Sequence, residues 1–234
     1  MEIKRHTLLK WIFFIVPLAL HSTCSAQYND AQVWENIASS VKLTRDYTFT
    51  FNHEGRIVNN VSQFDYAYGD FGINRKLMKE LKLSLNYVFL WKQGNTRDNW
   101  RHQWYTTLTY KFKIKKRVQF NFREMYQQQY QDIYTSDLGR YPENYFRSKV
   151  MVSYLFSHYP WYRFEPYLAS ETYYHLDKNQ KYGRQFDRIR YFVGCYYYFN
   201  KKTSLELYYM VEDNFNINNP PVNYVNGIGF ERDF

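Results

Sequence analysis

Alternation with a period of two constrains this chain more than any other feature of it. Leu81, Leu83, Leu85, Tyr87, Phe89 and Trp91 interleave with Lys82, Ser84, Asn86 and Lys92. The next stretch sets Trp100, Trp104, Leu108, Tyr110 and Phe112 against Arg101, Gln103, Thr107, Thr109 and Lys111. The one after sets Val118, Phe120, Phe122 and Tyr126 against Gln119, Asn121, Arg123 and Gln127. Successive side chains of a strand point to opposite faces, so each stretch predicts a β-strand with one apolar and one polar face. The pattern recurs over 146–156, 162–174, 189–199, 205–211 and 224–234. It is weaker over 46–56 and 61–75, and the second of these changes phase near Gly69, where a bulge is expected.

Such a chain is all-β, and the remaining question is which face looks inward. A soluble sandwich or lipocalin-like barrel buries its apolar face, whereas an outer-membrane barrel turns that face to lipid. The strands run to about 13 to 15 residues, well beyond the usual soluble length. Trp91, Trp100 and Trp161 lie toward strand ends, where membrane barrels carry aromatic girdles. Aromatics make up 22% of the chain, including 26 Tyr, yet the mean hydropathy is −0.67. Rings gathered on one face and charges on the other account for both numbers. Short, often basic turns near 44–46, 76–79, 113–116, 157–160 and 200–202 alternate with longer polar connections near 55–60, 94–99, 131–144, 177–185 and 216–221. This asymmetry also belongs to outer-membrane barrels. The expected fold is an antiparallel transmembrane β-barrel of even strand number, 10 or 12, with both termini on the periplasmic side. Residues 46–234 supply ten strands, and 27–45 are an N-terminal segment or a first strand.

Residues 1–26 carry the signature of a secretory signal peptide. Lys4, Arg5 and Lys10 precede an apolar stretch over 11–20, and Cys24, Ser25 and Ala26 precede a cut at Gln27. A lipoprotein alternative would use Cys24, but His21 and Thr23 fit that signal poorly. Cleavage lowers the formal charge from +9 to about +7. It leaves Cys195 as the only cysteine, so no intrachain disulfide forms. An exported chain rarely meets nucleic acid, and none is expected as a partner despite the basic balance. The location expected is the outer membrane of a Gram-negative bacterium.

Several short segments carry a resemblance. These are Gln32-Val33-Trp34, Gln63-Phe64-Asp65 leading to Asp70-Phe71-Gly72, Phe186-Asp187-Arg188-Ile189-Arg190, and the terminal Phe234. Together they resemble the DUF2490 family, a group of outer-membrane β-barrel proteins of uncharacterised function common in Bacteroidetes. The likeness spans essentially the whole mature chain, and its motifs are strand patterns without a catalytic signature. It implies the fold and the location but no activity. Ile228, Phe230 and Phe234 resemble the C-terminal signal read by the barrel-assembly machinery, from which Arg232 departs. That machinery during biogenesis, and outer-membrane lipid thereafter, are the expected partners. A soluble solute or surface partner is not identified.

With the apolar face outward, the polar face lines a lumen. Its expected charges are Arg101, Lys111, Arg123, Arg147, Lys149, Arg163, Arg188 and Arg190, with Glu165, Glu171, Glu206 and Glu212 as counter-charges. Buried charges persist only when paired or wet, so two readings stand. Ion pairs hold the barrel rigid and shut, leaving a structural or surface-interaction role, or a narrow porin-like pore with a basic excess favours anionic solutes. A lipid-acting enzyme is the weakest alternative. No close Ser, His and acid arrangement is present, and Ser170 points away from Glu171 and His175. No cofactor or metal site is expected, since no Cys pair or His-x-x-x-His spacing exists. Glu124, on an otherwise apolar face, suggests a bulge or an interface position, and Cys195 a small apolar filler. The connection holding Asp132, Asp137 and Arg140 is a solvated loop or a partner-binding element.

Overall fold

A computed structural model describes residues 29–94, 98–130, 142–156, 163–177, 185–216 and 220–234. The signal-peptide reading of 1–26, Trp161, the Ser157-His158 turn and the loop with Asp132, Asp137 and Arg140 therefore lie outside the described residues.

The strands are β1 (Asn29–Lys42), β2 (Tyr47–Val58), β3 (Gln63–Lys76), β4 (Leu81–Lys92), β5 (Asn99–Ile114), β6 (Val118–Tyr130), β7 (Glu143–Tyr154), β8 (Phe164–His175), β9 (Gln185–Asn200), β10 (Thr203–Asn214) and β11 (Val222–Asp233). Each pairs with its sequence neighbour, and β1 meets β11 to close a barrel. The expected even count is wrong: there are eleven strands. The ten strands assigned to 46–234 are all present, and the 27–45 segment supplies the eleventh. Directions alternate around a ring of antiparallel neighbours, so an odd ring must contain one parallel pair. Here that pair is β1 with β11, in register from Asn29↔Val222 to Ser40↔Asp233. The termini consequently sit at opposite ends, Asn29 with the long connections and Phe234 with the short turns. Backbone hydrogen bonding extends past the seam, with Phe234 N donating to Ser40 O at 3.0 Å or less (2.9 Å).

The phase break in β3 comes from a bulge, as expected, but at Asp65 rather than near Gly69. Register shifts between Arg56 and Ile57, where Arg56 faces Tyr66 and Ile57 faces Phe64, leaving Asp65 as the extra residue. Pairing runs unbroken through Gly69. Gly55 likewise belongs to β2, and the connection to β3 is the four residues 59–62. At the β5–β6 turn, Lys115 and Lys116 both take left-handed φ values, and Arg117 N donates to Ile114 O at 3.1 Å. That is the type I′ geometry whose twist matches a hairpin.

The wall is inverted relative to a soluble barrel. Leu85, Leu168, Val193 and Leu207 are all more than half exposed on the outer face. Toward the long-connection end that face carries stacked Phe64 with Trp91 and Phe89 with Trp100. Toward the short-turn end it carries Phe112 with Phe120 and Phe164 with Tyr197. Polar side chains fill the inside: Asp70, Asn74, Ser84, Asn86, Gln119, Glu165, Glu171, Arg190 and Glu212 are buried. Among them sits an apolar cluster of Trp34, Met210 and Val225 beside the seam, with Phe192 and Tyr208 against it, and Val88, Met125 and Ala169 are buried elsewhere on the inner face. Tyr208 reaches that position because Gly227 faces it; a Cβ there would overlap the phenol ring.

Candidate functional site

The inward side chains do not fill the barrel evenly. A cavity of about 770 Å³ is widest in the half nearest the long connections and, along β8 to β10, reaches Tyr167, Tyr196 and Glu206 near the short turns. Most strands contribute from that half, for example Gln32 and Trp34 of β1, Glu54 and Arg56 of β2, Arg101 and Gln103 of β5, and Arg147 of β7. Toward the short turns the interior is packed by polar contacts. Glu165 accepts from Ser153 Oγ at 2.6 Å, Tyr198 OH at 2.7 Å and Gln119 Nε2 at 3.1 Å. Asp70 accepts from Asn86 Nδ2 at 2.9 Å and from Tyr105 OH, and Ser84 donates to Asn74. Glu165, Gln119, Ser153 and Ser84 are all 6% exposed or less, so this half leaves them almost no contact with solvent. On this side the space is a vestibule above a hydrogen-bonded floor, while beside β9 to β11 a smaller cavity of about 60 Å³, lined by Asn36, Tyr196, Ser204 and Glu206, continues toward the short turns.

Its walls are braced by a charge network. Glu171 on β8 is 2% exposed and accepts from Arg123 at 2.6 Å and Arg147 at 2.8 Å, with Arg190 at 3.6 Å. Arg190 Nε also donates to Glu212 at 2.6 Å, and Arg188 stands 3.6 Å from the same carboxylate. Asn223 Nδ2 adds a bond to Glu212 at 2.8 Å. Trp34 lies under the guanidinium of Arg56, its partner on β2, at 3.3 Å, and across the seam Arg190 stands 5.2 Å from the same ring. Arg56 pairs with Glu54 at 2.6 Å, and Tyr68 OH donates to Glu54 at 2.9 Å. Trp34 Nε1 donates to Gln32, which donates to Asp30. Strand β1 is thus tied both to β2 and, through Arg190, to the far-side network. Gln32, Trp34, Asp70, Arg188 and Arg190, which carried the sequence resemblance, all face this lumen.

Most of the expected lumen charges are where the alternation put them. Arg101, Arg123, Arg147, Lys149, Glu171, Arg188, Arg190, Glu206 and Glu212 line the cavity. Glu206 accepts from Tyr167, and Lys149 lies over the Phe192 ring at 4.2 Å. Glu165 belongs to the floor. Lys111 has inward parity on β5 but lies near the short-turn rim and is exposed. Arg163 precedes β8 and donates to Tyr197 OH, an outward-facing phenol, at 3.4 Å. Ile228 and Phe230 are exposed on the outer face, and Arg232 stacks on Phe234 at 5.0 Å. Glu124 is no bulge: β6 keeps unbroken register on both sides, and the carboxylate faces outward and accepts from Ser148 of β7. Cys195 faces outward opposite Leu207.

The expected basic excess shrinks to a single charge in the vestibule. Its eight cations (Arg56, Lys92, Arg101, Arg123, Arg147, Lys149, Arg188, Arg190) meet seven carboxylates (Glu54, Asp65, Asp70, Glu143, Glu171, Glu206, Glu212). Glu54, Arg56, Asp65, Asp70 and Trp34 were missed because they sit on the three strands with the weakest alternation, β1 to β3. A detectable signal was the polar run Asp30, Gln32, Asn36 spaced by two around Trp34.

A family model described as a protein of unknown function, DUF2490, matches residues 31–223. Two solved structures are similar at low identity. One, described as a bacterial polysaccharide outer membrane secretin, is 9% identical with a TM-score of 0.45, over 74% of this chain and 70% of that chain. The other comes from work described as unveiling the mechanism behind the in-meso crystallization of membrane proteins. It is 13% identical with a TM-score of 0.39, over 78% of this chain and 76% of that chain. No curated protein matches the chain.

Proposed function

Since the chain belongs to the DUF2490 family, whose function is unknown, we propose a role from the barrel's own chemistry: an integral outer-membrane barrel, closed by ion pairs, with a structural or surface-interaction role. The observation that carries the membrane placement is the inverted wall. Half-exposed Leu85, Leu168, Val193 and Leu207 would cost free energy in water, at about 25 cal/mol per Å² of apolar surface, and none in lipid. The inward alternation of polar residues is the complement that a membrane barrel needs. In this reading the short turns face the periplasm and the long connections face the cell exterior. Lipid contacts the outer face, the barrel-assembly machinery inserts the chain, and export uses the signal at 1–26. No catalytic activity is assigned.

The packing on the β3 to β8 side supports closure over conduction. A passive pore needs a continuous water column, whereas here Glu165, Gln119, Ser153 and Ser84 are buried beneath the vestibule. Purified protein reconstituted in planar bilayers tests both parts. Outer-membrane fractionation with resistance to carbonate extraction, and no steady conductance above background, are expected. Release by carbonate would refute the membrane placement, and stable ohmic steps would refute closure in favour of a narrow pore.

A further inference from the structure

The vestibule's charges balance to within one, but its buried donors and acceptors do not pair off. Each of the seven carboxylates already has a donor; even Asp65, Asp70 and Glu206 are met by Lys92, Tyr105 and Tyr167. Two cations make no direct ion pair among the described residues. Arg101 has a buried Nε–H without an acceptor; Lys149 lies over the Phe192 ring and feels Glu171 and Glu206 only at longer range. The Nε–H groups of Arg147 and Arg188 also lack acceptors. The buried unpaired side-chain atoms lining the cavity are thus three guanidinium donors, of Arg101, Arg147 and Arg188, against one acceptor, Asn52 Oδ1, and an ammonium adds three donors more.

We propose that the vestibule is a binding site for a small solute bearing an oxyanion, with Arg101 and Lys149 as its charge partners. Arg101 stands on β5 and Lys149 on β7, and both line the same cavity with Gln127 and Gln129 of the intervening β6. The volume of about 770 Å³ lies within the range of small-molecule sites. The amides accept and donate to neutral polar groups, and the two cations supply charge-assisted bonds to a carboxylate or phosphate. The site deepens the closed-barrel reading, because only a floored vestibule retains a solute.

Isothermal titration of the folded, detergent-solubilised full barrel tests this with inorganic phosphate, glucuronate and glucose. Phosphate and glucuronate bind, and glucose does not. The pair Arg101→Gln with Lys149→Gln weakens both anions at least about tenfold, the loss expected for one hydrogen bond to a charged group. Lys111→Gln, outside the cavity, leaves binding unchanged. A folded barrel is confirmed for each variant by its heat-dependent gel migration. Binding of glucose as tight as the anions, no binding of any probe, or unchanged binding by the double variant overturns the site. A sealed barrel that binds no anion sinks this inference alone. A conducting barrel sinks closure, whatever the titration shows.

Discussion

Replacing Glu171 by Gln removes one charge from the centre of the lumen network and little else. The side chain is 2% exposed and keeps its shape and one acceptor, but it no longer neutralises Arg123, Arg147 and Arg190 at 2.6, 2.8 and 3.6 Å. At an effective dielectric near 20, two unit charges about 4 Å apart attract by roughly 4 kcal/mol. Three guanidinium groups share this partner, and their mutual repulsion is then uncompensated. Against this stands the desolvation of the carboxylate, several kcal/mol, which the variant no longer bears. Breaking a buried pair by removing one partner typically costs about 3–5 kcal/mol, and that is the loss expected here. Urea titration of barrels folded into lipid vesicles, read by tryptophan fluorescence and gel migration, measures it. The double variant Glu171→Met with Arg147→Met should lose less than the sum of its single variants, because a coupled pair is removed together. A Glu171→Gln barrel within about 1 kcal/mol of the parent would refute the claim that the network braces the wall, since that is the scale of a solvated ion pair.

Glu124 is an acid on an otherwise apolar outer face, so Glu124→Leu should stabilise the barrel in vesicles by about 1–2 kcal/mol, below the figure for a lipid-facing Arg or Lys. A loss in the same urea titration would mean that the carboxylate has a partner in the membrane. Gly227→Val forces a side chain into the Tyr208 ring and should cost about 1–3 kcal/mol. Tyr208→Ala in the same chain should restore part of it, and an additive loss would show that the close approach is not what matters. Because β1 and β11 run parallel, an epitope placed just before Asn29 should be reached by antibody on intact cells while one after Phe234 is not. Labelling of both tags, or of neither, would contradict the seam.

Strands β4 to β6 were legible because each puts apolar side chains at every second position, and a barrel wall with an apolar outer face and a polar interior demands that spacing. The same alternation assigned Glu171, Arg190 and Glu212 to the inside. It failed in two instructive places. Arg163 has inward parity but lies before the first residue of β8, where the pleat no longer dictates direction, and it turns to Tyr197. Asp65 is the bulged residue of β3, so it breaks the phase that the neighbouring residues obey. Period-two reasoning holds only inside an unbroken ladder.

By itself, then, the sequence determined that the chain is a wall of long strands with rings and aliphatics on one face and charges on the other, because that pattern is local and repeats along each strand. The tertiary structure alone decided how many strands close the ring, that β1 enters it parallel to β11, and that the lumen charges balance to within one. Those properties depend on which residues from distant strands meet across the seam and the cavity. Trp34 meets Arg56 within the β1–β2 hairpin, but it stands beside Arg190 of β9 only once the ring is closed. No spacing along the chain records that meeting.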